Sequence, residues 1–160
     1  MRKMIFPFII AFVFLTACGV DPVKDDLLNY LNHNLQPLGD EETRLTKAYS
    51  DVTGENYSSD EETYEAFVND IVPGYQKFVF KLEEIRPETQ EVRDLHEIYI
   101  LGANTQLSAM TQMQLAFEND DANLIPAAND KLAEGRKYIR DFQNRLDEVA
   151  KKHNVKITKK

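Results

Sequence analysis

The chain has 160 residues, a mass of 18.5 kDa and a net charge of −8 at pH 7, with 27 acidic and 19 basic side chains. This length suits about one domain that buries a core of its own. The acidic balance argues against nucleic-acid binding, which depends on clustered lysines and arginines.

The N-terminus has the pattern of an export signal. Arg2 and Lys3 precede an uncharged and mostly apolar run, Met4–Leu15. This run is too short for a membrane-spanning helix, which needs roughly 20 apolar residues, and its length and flanks are typical of a cleaved signal peptide. A buried core helix is the alternative, but Pro7 and the lack of a polar face argue against it.

Cys18 is the only cysteine of the chain and ends the segment Leu15-Thr-Ala-Cys, directly after the apolar run. This segment resembles the lipobox of bacterial lipoproteins, and the resemblance covers the first 18 residues. It implies that the signal peptide, residues 1–17, is cleaved and that the sulfur of Cys18 carries a diacylglycerol. Two long acyl chains, palmitate for example, anchor a protein almost permanently. The expected location is the extracytoplasmic face of the cell membrane, in a cell of Gram-positive type.

The remaining chain is helical in pattern, after a short lipidated tether at residues 18–23. Apolar residues spaced by three and four predict four helices with short connections. The predicted helices span 24–52, 60–85, 89–118 and 122–152. The sequence therefore predicts an all-α fold in which residues 24–152 form an antiparallel up-down-up-down four-helix bundle.

The third predicted helix carries no charged residue between Ile98 and Phe117. One interpretation is that it is the most enclosed helix of the bundle, with Met110 and Met113 filling gaps in the core. The other is that its outer face is an uncharged surface for a partner protein of the cell envelope. The candidate residues of that face are Asn104, Ser108, Thr111 and Gln112.

Two prolines interrupt otherwise regular helical patterns. Pro37 and Pro73 would lie at the same height if the first two helices turned near residue 55, which would give the bundle a kinked waist. The kinks could simply bend the helices around the core. Alternatively, they open a small ligand-binding pocket, for which the candidate lining residues are Tyr75, Tyr99 and Tyr138.

The sequence offers little for catalysis. His33, His96 and His153 lack the spacing of known metal motifs, and we expect the two internal histidines to be solvated or structural. A lipidated Cys18 leaves no thiol nucleophile, and no serine lies in a recognisable catalytic motif. We therefore expect a protein that is not an enzyme, with no cofactor, no metal and no catalytic residue.

The last residues, 153–160, form a basic C-terminal tail that continues the basic end of the fourth helix. An even number of antiparallel helices would return this end to the lipidated N-terminus, next to anionic headgroups. The candidate membrane-contact residues are Lys151, Lys152, Lys156, Lys159 and Lys160. The alternative is a frayed, solvated terminus.

The predicted function is that of a membrane-anchored, non-catalytic protein-interaction module, and the alternative is a small-ligand binder or sensor that uses the kinked waist.

Overall fold

The computed structural model describes residues 20–157, so that the predicted signal peptide, Cys18, Lys159 and Lys160 lie outside the described residues. All regular structure within 20–157 is helical, and it forms a helical bundle of four helices, as predicted. The first bundle helix consists of α1, a π-helical segment π1, and α2; the second consists of α3, π2 and α4. Their bounds are α1 Pro22–Asn29, π1 Tyr30–Leu35, α2 Gln36–Asp51, α3 Asp60–Ala66, π2 Phe67–Ile71 and α4 Val72–Glu83. The third and fourth bundle helices are α5, Gln90–Glu118, and α6, Leu124–Lys152.

The core lies between these helices and is rich in aromatic rings. Tyr30, Phe67, Tyr75 and Phe78 are almost fully buried. Along α6, every third or fourth residue faces the core as the sequence pattern predicts, and five of these positions are buried: Ala128, Leu132, Gly135, Phe142 and Val149. Met110 and Met113 are also buried, as gap-filling core residues would be.

The two π segments explain how the prolines are accommodated. Each proline is the second residue after a π segment, and the last wide-turn hydrogen bond is donated by the residue before it: Gln36 N–H to Leu31 O, and Val72 N–H to Phe67 O. A proline has no N–H to donate and its ring clashes with the carbonyl one turn back, so a wider turn before it relieves both problems.

One prediction about the prolines is wrong, because Pro37 and Pro73 are not at the same height. Asp70 accepts hydrogen bonds from Arg44, and Gly74 is packed against Leu45. Pro73 is therefore level with the middle of α2, whereas Pro37 is eight residues before Leu45, about 12 Å along a helix.

The π1 segment also moves the buried face of the first bundle helix by one residue. The spacing predicts Leu28 and Leu31 in the core, but Leu27 and Tyr30 are the buried residues and the predicted pair is only half-buried. The wide turn of π1 contains one extra residue, which rotates the following part of the helix relative to the part before it. After this turn Leu45 is buried in the core, as the sequence pattern predicts.

The third and fourth bundle helices approach closely because each has a glycine at their contact: Gly102 of α5 faces α6, and Gly135 of α6 faces α5. A Cβ added to Gly135 would lie 2.6 Å from Gln106 Cγ and 3.3 Å from the backbone oxygen of Gly102. A Cβ on Gly102 would lie 2.8 Å from Ile139 Cδ1. This contact holds α5 in place and leaves its opposite face turned away from the core.

Candidate interaction face

The outward side of α5 carries a continuous stripe of uncharged side chains. They recur at spacings of three and four residues: Leu101, Asn104, Thr105, Ser108, Thr111, Gln112 and Leu115. We call this set the neutral face. Leu101 is 47% exposed and Leu115 is 43% exposed, so that both ends of the neutral face present an apolar side chain to solvent. The prediction that α5 is simply the most enclosed helix therefore holds for only one of its two sides.

The polar groups of the neutral face are already engaged in hydrogen bonds within the protein. Asn104 Nδ2 donates to Glu83 Oε1 at 2.7 Å, and Lys131 Nζ donates to Ser108 Oγ at 3.0 Å. Thr111 Oγ1 donates to the carbonyl of Leu107, one turn back. Because these groups are satisfied internally, covering the face leaves few polar atoms without a partner.

A shallow cavity of about 400 Å³ lies between the C-terminal half of the neutral face and α6. Ser108, Thr111, Gln112 and Leu115 form one wall, and Leu124 and Lys131 of α6 form the other. Gln112 Nε2 donates to the carbonyl oxygen of Leu124 at 3.4 Å. Three of the four predicted face residues therefore line one depression, and Asn104 lies beside α4.

Sequence reasoning missed one exposed apolar residue on the neighbouring helix. Phe80 of α4 is 63% exposed and lines a depression with Pro73 and three charged residues. The exposure of Phe80 could have been predicted from its position between Phe78 and Leu82, which are both buried. Residues two apart on a helix point in nearly opposite directions, so Phe80 points away from the core.

The three tyrosines predicted to line a waist pocket are not brought together around one cavity. Tyr75 is buried and donates to Gln106 Oε1 at 2.6 Å, while Tyr99 donates to Glu42 Oε2 at 2.7 Å and stacks on Phe142 with ring centroids 4.6 Å apart. Burial raises the pKa of Glu42. Tyr138 lies at the surface of α6, where its hydroxyl donates to Glu134.

Asp21, at the start of the described residues, and the end of α6 meet at a cluster of charged side chains. His153, which follows α6, lies 2.7 Å from Asp21 and 3.2 Å from Glu91 through its two ring nitrogens. Lys152 Nζ lies 2.9 Å from both carboxylate oxygens of Glu91. The hydrogen bond with Asp21 is the main cause that raises the pKa of His153. The pairing with His153 likewise lowers the pKa of Asp21.

The C-terminal segment after α6 is folded back on the bundle over its described part. Asn154 has a left-handed φ of 54°, and the N–H of Val155 bonds to the carbonyl of Ala150 at 2.8 Å, which is a Schellman ending. Val155 is buried and Ile157 is half-buried against the core. Lys151 and Lys156 are exposed beside this segment, whereas Lys152 is paired with Glu91.

The internal histidines have different environments. His33 is exposed. His96 is 3% exposed, and its Nδ1 lies 3.0 Å from the hydroxyl of Tyr30, while its Nε2 has no hydrogen-bond partner within residues 20–157. Burial lowers the pKa of His96. In residues 20–157 no group of three or more His, Cys, Asp or Glu side chains is arranged to hold a metal ion.

Within the same residues, no helix is both long and apolar enough to cross a membrane. Comparison of the chain with known protein families, with curated proteins and with solved structures finds no match.

Proposed function

We propose that this protein is a lipoprotein of the cell membrane, anchored on the extracytoplasmic face through lipid on Cys18, and that it acts as a non-catalytic interaction module. Its partner is a protein of the cell envelope, bound by the neutral face of α5. The proposed arrangement of the bundle is antiparallel, up-down-up-down. Two contacts support this topology: Lys152 at the end of α6 pairs with Glu91 at the start of α5, and Gln112 near the end of α5 reaches Leu124 at the start of α6.

The lipid anchor is supported by the pattern before Cys18 and by the position of Asp21. Asp21 is three residues after Cys18 and is fixed to the bundle: it caps α1 by accepting from the N–H groups of Val23 and Lys24, and it pairs with His153. A lipid on Cys18 is then connected to a rigid body through a very short linker. Such a bundle works close to the membrane surface.

The observation that carries the interaction role is the neutral face itself. The whole chain has a net charge of −8, yet 20 consecutive residues from Ile98 to Phe117 carry no charge. Leu101 and Leu115 are separated by 14 residues, about 21 Å along the helix, which is the length of one short helix laid against it. The two charged side chains that border the face, Glu83 and Lys131, are already bonded to Asn104 and Ser108, so a charged partner would lose hydration there for little ion pairing in return. We therefore propose an uncharged helix of the partner protein as the occupant.

The lipid anchor is tested by metabolic labelling with a radioactive fatty acid. We expect label in the native protein and none in Cys18→Ala, which should accumulate as an unprocessed or shed form. The fold should be unchanged, because residue 18 precedes every described helix. Label entering Cys18→Ala at the native level would contradict the anchor.

The interaction is tested with a photoreactive side chain at position 108 in the intact, lipidated protein on its own membranes. We expect one discrete crosslinked product, reduced about tenfold when Leu115→Glu places a charge in the contact. Position 46 is the matched control, because Thr46 is also an exposed polar residue of a bundle helix but lies on α2.

Two results would contradict the proposed occupant. One is the same product from positions 46 and 108. The other is a product with twice the mass of this chain, which would identify a second copy of the protein as the occupant.

A further inference from the structure

The turns at the opposite end of the bundle from Asp21 and His153 border a second cavity, separate from the neutral face. Its volume is about 550 Å³, within the range of small-molecule sites. Residues from all four bundle helices line it. They are Tyr49, Val52, Thr53, Gly54, Tyr57, Asp60, Thr63, Met113, Phe117, Ile125 and Asn129.

The walls of this distal cavity are mainly aromatic and aliphatic. The rings of Tyr49, Tyr57 and Phe117 form part of the lining, together with Met113 and Ile125. Tyr57 is 49% exposed, so that its ring stands at the edge of the cavity. These side chains suit the body of a small aromatic or branched aliphatic ligand.

Among the lining residues, Asp60 and Asn129 are available to orient such a ligand. The hydroxyls of Thr53 and Thr63 already donate to backbone carbonyls. Asp60 accepts from the hydroxyl of Tyr57 through Oδ1, and no hydrogen bond within residues 20–157 engages its Oδ2 or the side-chain amide of Asn129. An ionised carboxylate can only accept hydrogen bonds, so it selects a donor.

The charge around the distal cavity is negative. Its two turn segments, residues 51–63 and 117–129, contain eight acidic residues and no lysine or arginine. Two bases lie nearby: Lys47, which is paired with Asp51, and Arg136, whose charge acts on Tyr49. Two helices end here and two begin here, so their dipoles largely cancel and the side chains decide the sign of the local field.

We propose that the distal cavity binds a small organic cation: a primary ammonium group on an aromatic or branched aliphatic body. The ammonium group binds the free oxygen of Asp60, and the body lies between the tyrosine rings and Phe117. Aromatic faces also attract a cation, which adds to the preference for an amine over a neutral molecule. This site does not depend on the proposed envelope partner, because α5 contributes only core-facing residues to it.

Calorimetry with the full-length protein in nanodiscs of zwitterionic phosphatidylcholine, which carries no net charge, tests the proposal, with empty nanodiscs as the blank. The probes are phenethylammonium and its neutral counterpart, phenethyl alcohol. We expect the cation to bind more tightly than the alcohol by roughly fivefold, the size of one exposed ion pair. Asp60→Asn should remove this preference. Glu61→Gln should retain it, since Glu61 is a neighbouring acid of the same helical turn that does not line the cavity.

A second variant tests the location independently of charge. Asn129 is exposed at the cavity edge, so Asn129→Phe should fill the opening without disturbing the core and should weaken binding of both probes. Equal affinity for the two probes, a preference that survives Asp60→Asn, unchanged binding to Asn129→Phe, or no heat from either probe at millimolar concentration would each overturn the proposal.

Discussion

Asp26 is a buried carboxylate that connects the first bundle helix to the start of α5. It is 4% exposed and accepts three hydrogen bonds, from the N–H groups of Glu88 and Thr89 and from the hydroxyl of Thr89. These N–H groups precede the first turn of α5 and have no helical partner. The sequence pattern does not reveal this role, because an acid within an amphipathic helix normally faces solvent and its partners are more than 60 residues away.

We expect Asp26→Ala to lower the free energy of unfolding by about 2–3 kcal/mol, since it leaves buried donors without acceptors. Urea denaturation followed by circular dichroism measures the loss. Asp25→Ala is the matched control, because Asp25 is the exposed neighbour on the same helix, and its effect should stay within about 0.5 kcal/mol. Similar losses in the two variants would show that the buried hydrogen bonds contribute little.

His96 and His153 should affect stability in opposite directions between pH 7.5 and 5.5. Burial lowers the pKa of His96, so the unfolded chain takes up a proton more readily, and this histidine makes the fold less stable as the pH falls through 6.5. The pKa of His153 is raised, so its contribution is fully present below pH 6.5 and is lost as the pH rises through the folded value.

Urea midpoints at pH 5.5 and 7.5 test this prediction, each variant being compared with the native protein. His96→Asn keeps an acceptor for Tyr30 and should make the protein relatively more stable at pH 5.5. His153→Asn should make it relatively less stable at pH 5.5, because Asp21 and Glu91 lose a cationic partner. Shifts of the same sign in both variants would contradict the assignment.

Among the helices, the sequence pattern predicts burial well in α6 and in the second bundle helix, and less well at the start of the first bundle helix. In α6, which has its single proline in the first turn, the spacing of Leu132, Phe142 and Val149 gives the buried side directly. In the first bundle helix the same reasoning is wrong by one residue, because a π turn inserts a residue before Pro37. The proline is visible in the sequence, but whether it is accommodated by a kink or by a wide turn depends on which side chains the neighbouring helices can bury.

The glycines of the helices allow a matched pair of substitutions. Gly39 has no atom within 4 Å of an added Cβ, so Gly39→Ala should stabilise the protein by about 0.5–1 kcal/mol through helix propensity. Gly135→Ala should destabilise it by about 1–3 kcal/mol, because the new methyl group meets the backbone of α5. Thermal unfolding of both variants measures the difference, and stabilisation by Gly135→Ala would show that α5 and α6 can separate without loss.

At the scale of the whole molecule, the sequence predicts an all-helical bundle and helix bounds within three residues of those observed. It also predicts four of the seven residues of the neutral face, because a run without charges is visible in the sequence alone. The distal cavity is not predictable in this way, since Tyr57, Met113 and Asn129 meet only through the packing of three different parts of the chain. The same is true of the pairing between Asp21 and His153, which are separated by 132 residues.

The described part of the basic C-terminal segment limits which of its lysines can contact a membrane. Val155 and Ile157 are packed against the core, so Lys156 between them is directed outward at the end of the molecule that also holds Asp21. Lys152 is paired with Glu91, whereas Lys151 has no ion pair within residues 20–157. Of these two adjacent lysines, only Lys151 can approach an anionic headgroup without first breaking a contact.

We therefore expect Lys151 and Lys152 to contribute unequally to binding of the lipid-free protein to anionic vesicles. At low salt, Lys151→Gln should weaken binding by up to roughly fivefold, the equivalent of about 1 kcal/mol for one charge near the surface. Lys152→Gln should change it by less than about twofold. Raising the salt concentration should remove the difference, because the Debye length falls from about 10 Å at 0.1 M to about 3 Å at 1 M. Equal effects of the two substitutions would mean that the lysines act only through net charge, and a difference that persists at 1 M salt would mean that it is not electrostatic.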